Sequence, residues 1–144
     1  MIEVKNISCS YKNGSNIQNI FQNESFKIND GEFIIITGAS GSGKTTLLKI
    51  LSGIQKPNEG YVYWDNESIY DLKNKELSNL RLKDSGFIYQ DFMLIDELNV
   101  YDNLILPMKI LKKKDEEKVN EVIDIIGLKH LLKKYPPVLS GGEK

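Results

Sequence analysis

The sequence predicts an α/β fold in which one buried strand hands the chain to a glycine-rich loop and then to a helix. Three observations carry this. Phe33-Ile34-Ile35-Ile36-Thr37 is a short apolar run rich in β-branched residues, the composition of a strand buried on both faces. Leu47-Leu48-Lys49-Ile50-Leu51-Ser52 puts apolar residues on one helical face and stops at Gly53, where a helix cap belongs. Between them stands Gly38-x-x-x-x-Gly43-Lys44-Thr45, the spacing of a phosphate-binding loop.

The chemistry of that loop follows from its residue types. Successive backbone N–H groups face a polyphosphate only where no side chain blocks the approach, so Gly38, Gly41 and Gly43 clear the way. The helix N-terminus that follows adds unpaired donors and partial positive charge. Lys44 brings a full charge to the β- and γ-phosphates, and the Thr45 hydroxyl suits Mg²⁺. Ser40 and Thr46 complete the expected nucleotide-binding set. The bland alternative is a glycine-rich turn with a surface lysine; the strand before and the helix after argue against it.

Composition narrows the class. The 144 residues are 40% hydrophobic and 27% charged, as in a soluble globular protein rather than a disordered one. Net charge is −1, so no basic excess points to a nucleic acid. Cys9 is the single cysteine, which excludes an internal disulfide and fits a reducing compartment. No signal peptide opens the chain and no apolar run approaches bilayer length, so any membrane connection is expected through a partner rather than by direct insertion.

Taken in order, Ile2, Val4, Ile7 and Cys9 alternate loosely and predict a strand over 2–10. A turn signal, Lys12-Asn13-Gly14-Ser15-Asn16, leads to a second strand over 20–28 with Phe26 and Ile28 on one face. Tyr11, beside that turn, could stack on a purine or simply be a half-buried strand residue. Tyr61-Val62-Tyr63-Trp64 reads as a strand closed by an Asp65-Asn66 turn, with Trp64 in a packing role. Residues 74–81 predict a polar helix with Leu77 and Leu80 on one side. Gly86-Phe87-Ile88-Tyr89 reads as a further short apolar strand that delivers Gln90 to its carboxyl end, where ligands of open α/β sheets gather; Gln90 either reaches the γ-phosphate region from there or is simply a surface glutamine.

From Asp91 the pattern turns helical. The stretch 98–114 carries Pro107, expected to kink it or divide it in two, and Lys112-Lys113-Lys114 is expected as a solvated helix end. Asp115 suits an N-cap, and Val119, Val122, Ile123 and Ile126 mark one face before Gly127. His130 falls in a short helical stretch and is expected to be partly exposed. Ser140-Gly141-Gly142 are small residues suited to open a helix and bind an anion.

Three separated motifs then agree. The loop at 38–45, Gln90, and Leu139-Ser140-Gly141-Gly142-Glu143 resemble the Walker A, Q-loop and signature motifs of the ATP-binding-cassette (ABC) ATPases, in that family's order and spacing. Gln90-Asp91-Phe92-Met93-Leu94, followed by Leu98-Asn99-Val100-x-x-Asn103-Leu104-x-Leu106-Pro107, is similar to the lipoprotein-release, macrolide-export and antimicrobial-peptide-export subfamily. The resemblance implies a P-loop NTPase fold: residues 1–90 as β-layer and nucleotide core, 91–144 as a helical subdomain ending in the signature. It implies ATP and Mg²⁺ as ligands, with Tyr11 stacking on adenine and Gln90 contacting Mg²⁺ and the attacking water. Ser140, Gly141 and Gly142 would bind the γ-phosphate held by a second ATP-binding subunit in a head-to-tail dimer. A transmembrane permease subunit would be the other partner, at the cytoplasmic face of the cell membrane.

Departures from the family pattern are mild at the motifs: Ala39 stands where proline is frequent and Glu143 where glutamine is frequent. The larger one is that the family's strand with a Mg²⁺-binding aspartate and catalytic glutamate follows the signature, and the chain ends there. The resemblance therefore implies a truncated, hydrolytically incompetent piece with a gap in its core sheet and exposed apolar strand edges. Two rival readings are a soluble ABC protein without a transporter, which the 90–107 segment disfavours, and a non-enzymatic nucleotide-binding fragment. No N-K-x-D guanine motif supports a GTPase.

Overall fold

The computed structural model describes residues 1–113 and 115–144, which fold as two compact units, Met1–Gly86 and Phe87–Lys144. The first unit is built on a hairpin. Strand β1 (Ile2–Asn13) and strand β2 (Asn16–Ile28) pair antiparallel as far as Asn13 opposite Asn16, so both strands run further toward the turn than their apolar residues indicate. Gly14, at φ +62°, takes the left-handed conformation that a two-residue hairpin turn requires. Strand β3 (Glu59–Trp64) pairs with the other edge of β1, and β4 (Glu67–Ser68) follows across Asp65-Asn66, both left-handed. The sheet order is β2-β1-β3-β4.

The loose alternation of β1 has a structural cause. Val4 lies on the inner face at an even position, whereas Ile7 and Cys9 lie there at odd ones, and all three are buried. The change of parity is absorbed by a bulge between Val4 and Ile7, with Asn6 at φ +50°. Gly60 crosses the bulge so closely that a Cβ there would stand 2.3 Å from the Asn6 carbonyl oxygen. Only glycine fits this crossing, at φ +83°.

Helix α1 (Lys44–Leu51) lays Ile50 and Leu51 on this sheet, against Val4, Ile7, Cys9, Val62 and Ile69. Its C-terminal carbonyls are all met. The amides of Ile54 and Gln55 converge on Lys49 O at 2.9 and 3.1 Å, and Gly53, at φ +71°, makes the turn that allows it. The Tyr70 hydroxyl donates to Ile50 O at 2.7 Å, the Trp64 indole to Leu51 O at 2.9 Å, and Arg81 to Gly53 O at 2.7 Å. Trp64 thus does more than fill space. Arg81 comes from helix α2 (Asn74–Asp84), whose Leu77 and Leu80 pack on the core as the sequence expects.

Two expected strands are not formed. Residues 33–37 and 86–89 make no sheet ladder, and Phe33, Ile35 and Ile88 are 88%, 72% and 97% exposed instead of buried. A parallel strand exists only through neighbours on its edges, and among the described residues none pairs with either stretch. Their composition still marks them as strand-formers; what is lacking is a partner ladder.

In the second unit, helix α3 (Val100–Ile110) is capped by Asn99, whose side chain accepts from the Asp102 amide at 2.8 Å. The next free amides, of Val100 and Tyr101, donate to Lys134 O and Leu132 O. Pro107 lies inside α3, which continues through it instead of dividing. Proline removes one donor, toward Asn103, and its fixed φ is already helical. Helix α4 (Glu116–Ile125) begins at Asp115, which accepts from the Lys118 amide at 3.0 Å, and buries Val119 and Ile123. Ile126, expected on the same face, is 53% exposed because it has left the helix as its C-cap. Gly127, at φ +70°, then turns the chain into a 3₁₀ turn, Leu128–His130, on which His130 is exposed. Lys112 and Lys113 are exposed beyond α3; Lys114 lies outside the described residues.

Candidate functional site

The glycine-rich loop closes on itself before α1 begins. The Ser42 amide donates to Ala39 O at 3.2 Å, and the first helical bond runs from Leu47 N to Gly43 O at 2.8 Å. The amides of Lys44, Thr45 and Thr46, in the first turn, therefore have no acceptor within the helix. They form a row of donors at the positive end of the α1 dipole. Gly43, the residue before the helix, is left-handed at φ +91°, and a Cβ on it would lie 2.2 Å from Ile20 Cγ2 of β2. Its hydrogen lets the loop sit down on the hairpin. At Gly41 a Cβ would meet nothing within 4 Å, so the loop is open on that side.

Lys44 folds back over the loop, its ammonium donating to Gly38 O at 2.9 Å and to Ala39 O at 2.7 Å. A positive charge is thereby held above the same turn that exposes the amides. The two threonines that follow are used differently. The Thr46 hydroxyl lies 3.1 Å from the Tyr11 hydroxyl, whereas the exposed Thr45 makes no side-chain hydrogen bond among the described residues. A phosphate chain fits the donor row and the ammonium, and a hard cation fits the free Thr45 hydroxyl with phosphate and water as its other ligands. No group of three or more His, Cys, Asp or Glu suited to a metal occurs among the described residues. The cradle thus fits a cation brought with phosphate rather than one held by a protein cage.

Tyr11, on β1, reaches this end of the unit. The residue is 44% exposed, while its hydroxyl is tied to Thr46 and to the Gln55 side chain, with Nε2 of Gln55 2.9 Å away. Gln55 is not among the residues singled out in the sequence. It stands 44 positions from Tyr11, and no local pattern joins the two.

Gln90, Ser140, Gly141 and Gly142 belong to the second unit. Gln90 is exposed on a turn, closed by the Phe92 amide donating to Tyr89 O at 3.2 Å. Phe92 and Met93 follow, both left-handed at φ +60° and +55°, a rare conformation for large side chains. Ser140 opens a turn in which Glu143 and Lys144 donate their amides to Ser140 O at 3.1 and 3.2 Å. The Glu143 carboxylate accepts from both the Ser140 amide and hydroxyl, an arrangement that mirrors a capping box. These bonds hold the Glu143 carboxyl below the usual glutamate range, the Ser140 hydroxyl first among the causes. Gly141 and Gly142 have open space where side chains would be. Cys9 is buried in the first unit's core, and burial raises its thiol, as suits a packing residue.

The chain is similar to known proteins in sequence and in fold. Residues 21–144 match the ABC transporter family. A putative hemin import ATP-binding protein, HrtA of Staphylococcus haemolyticus, is 40% identical over 99% of this chain and 66% of its own length. The bacitracin export ATP-binding protein BceA of Halalkalibacterium halodurans is 40% identical over the whole chain and 58% of its own length. A dimeric ATP-binding cassette, MJ0796, solved in a post-hydrolysis state with ADP and Pi, superposes with a TM-score of 0.89 at 36% identity, covering 99% of this chain and 65% of that one. The chain thus spans between about half and two thirds of the length of these relatives. Among the described residues, no helix is long and apolar enough to cross a membrane. With its donor row, its loop lysine and these likenesses together, the chain belongs to the ABC transporter family of ATP-binding proteins.

Proposed function

We propose that this chain supplies the nucleotide-binding part of an ABC transporter subunit that couples ATP binding and hydrolysis to movement of a substrate across a membrane. The observation that carries the reading is the Lys44 ammonium poised over a loop whose following helix offers three amides without helical acceptors. In the bound state Lys44 exchanges two neutral carbonyl acceptors for phosphate oxygens, a stronger, charge-assisted contact. The amides of Lys44, Thr45 and Thr46 hold the same oxygens in place, and the Tyr11 ring stacks on the adenine. Thr45 would hold a Mg²⁺ that would supply neutralisation of charge on the phosphates, and Gln90 is proposed as a Mg²⁺ ligand on its resemblance to the Q-loop alone.

Ser140, Gly141 and Gly142 would address the γ-phosphate of ATP held by a second ATP-binding subunit. A solved dimeric cassette among the similar structures supports this assembly. The match to export proteins such as BceA supports a permease partner and a position at the cytoplasmic face of the membrane. The test is ATP turnover by the protein assembled with its membrane subunit. Turnover that depends on the permease and is lost in Lys44→Ala supports the proposal; turnover indifferent to Lys44→Ala defeats it.

A further inference from the structure

Gln55 stands outside the phosphate loop, yet its side chain grips the Tyr11 hydroxyl, which also meets Thr46 in the first turn of α1. Its Nε2 donates to the Tyr11 hydroxyl across 2.9 Å, and its Oε1, 3.1 Å away, accepts the phenolic proton. The remaining contact of that hydroxyl is the Thr46 Oγ1 at 3.1 Å. The phenol is thus fixed at its tip by three atoms, while the residue as a whole stays 44% exposed.

Gln55 can do this because its own backbone is locked. Its amide donates to Lys49 O at 3.1 Å, and its carbonyl accepts from the half-buried Tyr70 hydroxyl, which also serves Ile50 O. Its amide head therefore projects from the capped end of α1 as from a rigid post, and Tyr11 is joined to both ends of that helix, Thr46 at the first turn and Gln55 beyond the last. A tyrosine on an exposed strand otherwise samples several rotamers. Each one that turns the ring aside lowers the fraction ready to stack, and so lowers apparent affinity in proportion.

We infer that Gln55 is a positioning residue for the nucleobase, acting through the Tyr11 hydroxyl to hold the ring in its stacking orientation. The inference rests on the proposed stacking role of Tyr11. It makes no contact with phosphate necessary, so its signature is a loss confined to ligands that carry a base.

The experiment measures equilibrium binding of ATP and of inorganic tripolyphosphate, each with Mg²⁺, to the protein and to Gln55→Leu, Gln55→Glu, Tyr11→Phe, Tyr11→Ala and the Gln55→Leu/Tyr11→Phe double variant. Gln55→Leu is expected to weaken ATP by about three- to tenfold, the effect of one net hydrogen bond, and to leave tripolyphosphate unchanged. Tyr11→Phe should lose a similar factor, and the double variant should be no weaker than Tyr11→Phe alone. Gln55→Glu, which keeps an acceptor for the phenol, should retain most of the affinity. Unchanged ATP binding in Gln55→Leu, or an equal loss for both ligands, overturns the inference. If Tyr11→Ala also leaves ATP binding unchanged, the stacking role itself falls; a loss in Tyr11→Ala without one in Gln55→Leu defeats the positioning role alone.

Discussion

Glu143 holds Ser140 at two points, its carboxylate accepting from the serine amide at 2.8 Å and from the serine hydroxyl at 2.7 Å. Both bonds favour the ionised carboxylate, as do the nearby Lys134 and His130 charges. Because the folded group titrates below its usual value of 4.5, its contribution is fully present above 4.5 and is lost as pH falls from 4.5 through the folded value. NMR titration of the Glu143 side chain should give a midpoint below that of a model glutamate. In Ser140→Ala the midpoint should move back up; the same midpoint in both proteins would show that the turn is not held this way.

That turn marks how far the sequence could be read. Ser140-Gly141-Gly142 is a run of small residues suited to open a helix, but the structure closes a turn there instead, while Gly43, Lys44 and Thr45 do lie where a helix begins. Relationships across the chain were not legible. Trp64 caps α1 from 13 residues away and Gln55 grips Tyr11 from 44, with no spacing rule to announce either. The parity change in β1 was visible as irregular alternation, but only Asn6 and Gly60 together explain it. Phe33-Ile34-Ile35-Ile36 carries strand composition without a strand, because composition specifies a preference and the ladder needs partners.

The Trp64 indole meets Leu51 O at a helix end in the core. Trp64→Phe keeps an aromatic ring but leaves that carbonyl without its donor, at a cost of about 1–3 kcal/mol. Chemical denaturation should show the unfolding free energy falling by that amount, with a lower midpoint. An unchanged midpoint would mean that water replaces the indole without penalty.

Gly60→Ala places a methyl 2.3 Å from the Asn6 carbonyl oxygen on a backbone already left-handed. The crossing must open, and a loss of about 1–3 kcal/mol or more is expected from strain of this kind. Gly14→Ala, which also sits at positive φ but meets nothing within 4 Å, should cost less. Thermal melts of the two variants make the comparison directly.

Asn103 clips the 95–99 loop to α3: its Oδ1 accepts from the Ile95 amide at 2.9 Å, and its Nδ2 donates to Ile95 O, Leu98 O and Asn99 O. Asn103→Ala should release that loop while leaving the helix formed. Hydrogen exchange at the Ile95 amide should accelerate by about tenfold, the loss of one bond of roughly 1.4 kcal/mol, with little change within α4. Equal acceleration throughout the unit would indicate general destabilisation in place of a local clip.

Calorimetric titration with Mg·ATP measures whether the α1 amides and Lys44 hold the phosphates of ATP. The protein should bind, and Lys44→Ala should bind about ten- to a hundredfold more weakly, as expected for one charge-assisted contact of about 1.5–3 kcal/mol. Equal affinity in the two proteins would contradict the account.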